Sequence, residues 1–174
     1  MKMKFFAAVA AVMMTVSASS QLKDGKYIVD FKASTINWSA QKVTGSGHQG
    51  TVRVSSGNVV VTKNAISSAK VNVDVNALAV TDIPAGEMNS NLVNHLKSAD
   101  FFDTSAHPDA KFEITSVKEA KDKEGNTHSV TGQLTVKGIA QTVTFPAKVT
   151  SNGSSVTIAG TMNFDRSKFD IRYG

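Results

Sequence analysis

The chain has 174 residues, no cysteine and a formal charge of +5 at pH 7. Without cysteine there is neither a disulfide framework nor a lipid-anchored thiol, so packing alone must hold the fold even if the protein is exported. Basic residues alternate with acidic ones, as in Lys118-Glu119-Ala120-Lys121-Asp122-Lys123-Glu124. That is a solvated face and not the basic, aromatic-interleaved patch of a nucleic-acid interface.

Lys2 and Lys4 precede an apolar run at residues 5–16, and the small residues Ser17-Ala18-Ser19-Ser20 follow. This order reads as a secretory signal over residues 1–20, with Val16-Ser17-Ala18 as a cleavage site. The run falls short of the ~20 residues that a membrane-spanning helix needs. Residues 21–174 have the size of one domain, and the expected location is the periplasm.

From there the chain reads as strands. Ala69, Val71, Val73 and Val75 alternate with Lys70, Asn72, Asp74 and Asn76, the period of a strand with one apolar face. The same phase runs through Phe112 and Ile114, then Val130, Gly132, Leu134 and Val136. It returns at Val143, Phe145, Ala147 and Val149, and at Val156, Ile158, Gly160, Met162 and Phe164. Shorter strands are expected at 27–31, 36–40, 50–55 and 58–62. Ser56-Gly57-Asn58, Glu124-Gly125-Asn126, Lys137-Gly138 and Asn152-Gly153-Ser154 supply turn residues. One helix is expected at 88–97, where Leu92, Val93 and Leu96 share a face and Lys97 suits the C-terminal end. A loop at 81–86 precedes it.

Many short strands with one apolar face fit a sandwich or an up-and-down barrel, and periodicity does not choose between them. Trp38, Phe112, Phe145 and Phe164 all fall on the apolar phase. They could pack against each other in a solid core or line a hollow one.

Motifs for chemistry are sparse. His48, His95, His107 and His128 are isolated in sequence, without the close pairs of a metal site, and no metal is expected. There is no Gly-x-Ser-x-Gly elbow and no His-Glu-x-x-His. Ser98, His95 and Asp100 are neighbours, but a triad is defined by geometry and not by proximity. No catalytic residue and no cofactor are assigned.

Three segments carry a resemblance. The first is His95-Leu96-Lys97-Ser98-Ala99-Asp100-Phe101-Phe102-Asp103 with Pro108, Ala110 and Phe112. The second is Gly132-Gln133-Leu134-Thr135-Val136-Lys137-Gly138. The third is Asp165-Arg166-Ser167-Lys168-Phe169-Asp170-Ile171-Arg172-Tyr173-Gly174. In this order, over residues 26–174, the chain resembles the YceI-like family of bacterial lipid-binding proteins. The resemblance implies an all-β, lipocalin-like, eight-stranded antiparallel barrel with a short helical insertion. It also implies that a further strand follows in related sequences, so that this chain lacks a closing strand and has free edges through which a homodimer could form.

Eight strands enclose room for one small ligand. A strand over 66–76 would be about 36 Å long at ~3.3 Å per residue, and a tilt of roughly 40° would make the wall about 28 Å high. The implied ligand is a polyisoprenoid or similar long-chain amphiphilic lipid. The implied cavity lining is Trp38, Phe112, Ile114, Leu134, Val136, Phe145, Met162 and Phe164. His48, in a glycine-containing turn near the barrel mouth, and Arg166, with its planar guanidinium, are candidates for a polar head group. A local ion pair of Arg166 with Asp165 is the competing structural role. The rival functions are a solid-cored envelope stress or protein-interaction protein and, less favoured, an isoprenoid- or lipid-modifying enzyme.

Overall fold

A computed structural model describes Met3, Lys4 and residues 22–41 and 47–173. Apart from Met3 and Lys4, the expected signal sequence lies outside the described residues. Met3–Lys4 (β1) pairs antiparallel with Asn163–Phe164 (β10).

The main sheet has eight antiparallel strands and curls into a nearly closed barrel. They are Gly25–Ile28 (β2), Ile36–Gln41 (β3), Gly47–Thr62 (β4), Ala65–Val80 (β5), Asp109–Glu119 (β6), His128–Val136 (β7), Ile139–Ser151 (β8) and Val156–Gly160 (β9). From β4 to β9 each strand pairs with the next in sequence. β3 pairs with the first part of β4, and β2 with the last part. The sheet ends at β2 and β9, and no ladder joins these two among the described residues. They approach each other all the same: a Cβ added at Gly153, just before β9, would lie 3.5 Å from Lys23 Cε, just before β2.

The helix Glu87–Lys97 (α1) is inserted between β5 and β6, one residue earlier than the apolar spacing suggests. Turns at Gly125, Lys137-Gly138 and Gly153 fall where the sequence places them, all with positive φ. One expected turn does not form. Ser56-Gly57-Asn58 lies inside β4, which runs unbroken through both strands expected there. A Cβ at Gly57 would sit 2.6 Å from the Lys70 carbonyl oxygen, so this glycine permits close strand approach instead of a reversal. The chain turns at Lys63 and Asn64, whose φ values are 52° and 61°. The Asp24 carboxylate accepts both of their backbone N–H groups at 2.9 Å. The residues at 66–76 likewise belong to a longer strand, β5, which continues to Val80.

Two apolar clusters bracket the barrel interior. At the α1 end, Leu78, Val80, Leu96, Phe102, Val136, Phe169 and Ile171 are buried together. At the opposite end, beside the β4–β5 and β8–β9 turns, Val59, Val61, Ile66, Ala69 and Val149 form the second cluster. A chain this size needs no disulfide when it buries such a core. No helix among the described residues is long and apolar enough to cross a membrane.

Candidate functional site

Between the two clusters the inward phase of the strands encloses a cavity of about 480 Å³. All eight residues singled out as cavity lining face it: Trp38, Phe112, Ile114, Leu134, Val136, Phe145, Met162 and Phe164. Val71, Val73, Val75 and Leu78 of β5 and Val156 and Ile158 of β9 complete much of the wall. The alternation that marks a half-buried strand thus surrounds open space instead of a packed core. At ~30 Å³ for each water-sized group, the cavity takes roughly sixteen heavy atoms, the size of about three prenyl units.

Three glycines sit against both a neighbouring strand's backbone carbonyl and an aromatic ring of the wall, where no Cβ would fit. A Cβ at Gly50 would meet Trp38 Cζ2 at 2.7 Å, one at Gly132 would meet Phe112 Cζ at 2.6 Å, and one at Gly160 would meet Phe145 Cδ2 at 3.0 Å. Each glycine is on a neighbouring strand: Gly50 pairs directly with Trp38, Gly132 with Ile114, and Gly160 with Ala147. The missing side chains remove bulk from the lining, and the aromatic faces cover backbone that would otherwise be bare. The Trp38 indole N–H donates to the Thr51 carbonyl at 3.3 Å, so its polar atom is satisfied within the wall.

The cavity's polar lining is concentrated on one side. It consists of Lys26, Tyr27, Asp30 and Ser34, from β2 and the connector to β3, and Ser154 and Ser155, from the β8–β9 turn. These flank the gap between the two end strands of the sheet.

Neither head-group candidate lines the cavity. His48 is on β4, paired with Ala40, and not in a flexible turn. Its Nδ1 lies 2.9 Å from Asp82 Oδ2, and Asp82 Oδ1 accepts the Gln49 N–H at 3.0 Å. Asp82 thereby fastens the loop before α1 to the start of β4. Burial raises the Asp82 carboxyl, but the Gln49 N–H and the His48 imidazole outweigh it and hold the group below its ordinary value.

Arg166 is 1% exposed, in the 3₁₀ turn Arg166–Phe169. Its guanidinium carbon lies 5.7 Å from the centre of the Phe101 ring, an arrangement favoured for a cation over an aromatic face. Burial lowers its pKa, against the pull of Asp165. The Asp165 carboxylate accepts the Ser167 N–H at 2.9 Å and so caps this turn. Phe101 also touches His95 and Tyr173. Arg166 therefore belongs to the packed end cap.

Ser98, His95 and Asp100 come together without forming a nucleophile–base pair. The Ser98 hydroxyl donates to the His95 backbone carbonyl at 2.8 Å, closing the end of α1. His95 Nε2 lies 3.2 Å from Asp100 Oδ2. Phe102, the buried member of the Phe101-Phe102 pair, reaches the cavity wall. Among the described residues no three His, Asp or Glu side chains converge as a metal set.

Sequence reasoning named none of the six polar residues of the lining as such, and Ser34 is the buried one among them. Ser34 is buried beside Ile36 and Trp38, in the same period-two phase. Continuing that phase backwards into the connector would have found it.

The description of the matching family model is "YceI-like domain", and the match covers residues 27–174. Protein YceI of Escherichia coli O157:H7 is 31% identical over 153 residues, which span 88% of this chain and 75% of that protein. A UPF0312 protein of Pseudomonas putida KT2440 is 33% identical over 152 residues, 86% of this chain and 73% of the relative. Among solved structures, BcnA of Burkholderia cenocepacia superposes with a TM-score of 0.65 at 27% identity, covering 83% of this chain and 86% of that one. A family match over almost the whole barrel, sequence relatives of similar extent and a shared fold lead to one conclusion: the chain belongs to the YceI-like family.

Proposed function

We propose that the protein binds the apolar tail of a long-chain amphiphilic lipid, of polyisoprenoid type, inside its barrel and carries it in the periplasm. The cavity carries this reading. It is lined by aliphatic and aromatic side chains, and its polar groups are gathered on one side. Such a site removes a tail from water while leaving a place for a polar end. Each buried CH₂ contributes roughly 0.8 kcal/mol, so a five-carbon unit contributes up to ~4 kcal/mol before ordering costs.

The role needs no cofactor and no bond-making group. The periplasmic setting is supported by the basic and apolar N-terminus. A homodimer formed through the ends of the sheet is compatible with the same function.

Native mass spectrometry of protein purified from its host tests the proposal. The expected result is the chain with one bound lipid, whose mass identifies it. A bare chain, both as isolated and after incubation with a prenyl lipid, overturns the reading.

A further inference from the structure

The cavity reaches the outer surface at β2. Ile28 lines the cavity and is also 72% exposed, so the apolar wall continues onto the outside of the barrel at this residue. Phe31, 49% exposed, follows in the turn that the Ser34 N–H closes on the Asp30 carbonyl at 2.9 Å. Two large apolar side chains thus stand in water at the mouth of an apolar cavity. Their exposure forgoes the burial that would stabilise the fold. An apolar patch with a polar rim marks a surface that meets another apolar body.

The segment that presents them is fixed. The Val29 N–H donates to the Gly57 carbonyl at 3.0 Å, which extends the pairing of β2 with β4. The Tyr27 hydroxyl donates to the Lys23 carbonyl at 2.8 Å.

The charges around the patch select the partner. Exposed Lys23, Lys26 and Lys32 lie on the same segment, and exposed Lys63 lies beside it in the β4–β5 turn. Two carboxylates are near, and each already accepts two backbone N–H groups. Asp24 takes those of Lys63 and Asn64, and Asp30 those of Lys32 and Ala33. Among the described residues none of these four lysines is in an ion pair. Across the gap, residues 151–160 carry no charge. Lysines around an apolar pair match an anionic bilayer, where ammonium groups meet lipid phosphates and apolar side chains reach the acyl boundary. A second copy fits less well, because a self-complementary contact would set the same lysines against each other.

We propose that β2 and the turn after it form a membrane-docking face. Ile28 and Phe31 enter the interfacial layer of an anionic bilayer, the four lysines meet its phosphates, and the cavity mouth faces lipid. A tail then passes between bilayer and cavity without crossing water. That passage rests on the cavity being a lipid site, whereas the docking does not.

Co-sedimentation with vesicles tests it, on the protein as isolated from its host. One set of vesicles contains phosphatidylethanolamine and phosphatidylglycerol, the other phosphatidylcholine alone. The variants are Ile28→Ser with Phe31→Ser, Lys26→Gln with Lys32→Gln, and Met88→Ser. Met88 is 75% exposed on α1, at the opposite end of the barrel. The wild type should bind the anionic vesicles more tightly than the phosphatidylcholine ones, and high salt should weaken that binding. The apolar pair of substitutions should weaken it on the order of ten-fold. The lysine pair should cost about five-fold for each charge removed, and Met88→Ser should change nothing. Phe31→Ser alone, outside the sheet, should shift binding in the same direction with the urea midpoint unchanged.

A wild type that ignores anionic vesicles overturns the docking face. So does an apolar double variant that binds them as the wild type does, or a Met88→Ser variant that weakens binding equally. If size-exclusion chromatography shows a wild-type dimer and a monomeric double variant with unaltered vesicle binding, the patch is a contact between copies and the proposal is wrong. Farnesol uptake from solution reads the cavity separately: vesicle binding by protein that takes up no farnesol supports the docking face and removes the lipid cavity.

Discussion

Phe112 on β6 and Phe145 on β8 meet inside the barrel with ring centroids 5.6 Å apart and planes inclined by 55°. The strand between them, β7, contributes Gly132, over which Phe112 lies. Two aromatic rings thus touch across a strand that has no side chain in the way. The wall is apolar at this point.

Phe145→Asp places a carboxylate in that wall, where it cannot be solvated without cost. Lipid retention should be abolished. Phe145→Leu keeps the wall apolar and should weaken retention only modestly. Circular dichroism confirms that both variants are folded, and native mass spectrometry reads the bound lipid. Wild-type retention by folded Phe145→Asp contradicts the cavity assignment.

Gly132→Val would drive its Cβ into the Phe112 ring and the Glu113 carbonyl. Overpacking of this kind costs roughly 1–3 kcal/mol, and a displaced ring fills part of the cavity. The urea midpoint and farnesol affinity should both fall. Phe112→Ala in the same background should restore part of the affinity, because it clears the displaced ring. No recovery would indicate that Gly132 serves only strand approach.

Tail length gives a separate test of cavity size. With room for roughly sixteen heavy atoms at ~30 Å³ each, affinity should rise steeply from a five-carbon to a fifteen-carbon prenyl alcohol and then level off. Titrations with a homologous series check this. A continued steep rise beyond four prenyl units means that the tail leaves the space described.

Asp82→Ala releases the loop before α1 and should lower stability by roughly 1 kcal/mol at pH 7, as expected for a partly exposed, hydrogen-bonded carboxylate. The Asp82 carboxyl is held below its ordinary value of 3.8 in the folded state. A lowered folded-state pKa stabilises fully above the unfolded value and is lost as pH falls through the folded value. The difference between wild type and variant should therefore shrink as the pH falls below about 4. Urea melts from pH 5 downward read it. A difference that grows as the pH falls below 4 reverses the sign and rejects the latch.

N-terminal sequencing of the mature protein should place its first residue close to Ala18–Ser20, after the small-residue stretch of an export signal. Mature protein that begins at Met1 would contradict both the signal and the periplasmic assignment.

Much of this molecule is readable in its residues. The helix, three of the four expected turns and the apolar phase of β5 to β9 follow from local rules, because period two and positive-φ residues act over a few positions at a time. Ser56-Gly57-Asn58 shows where local rules stop. Glycine serves a turn and a close strand contact equally well, and the choice fell to Lys70 on the neighbouring strand.

The sequence by itself determined which face of each strand turns away from water, and therefore which eight residues face inward. It did not determine what lies across from that face. Apolar side chains are required equally by a solid core and by a hollow lipid site, so hydrophobic periodicity is silent about volume. The tertiary structure decided it by setting Gly50, Gly132 and Gly160 beneath three aromatic rings and by closing the sheet far enough to leave about 480 Å³ between them. It also placed His48 and Arg166 outside the cavity lining and buried Ser34. Contacts among β3, β4, β6, β7, β8 and β9 produce that arrangement, and residues distant in sequence make them.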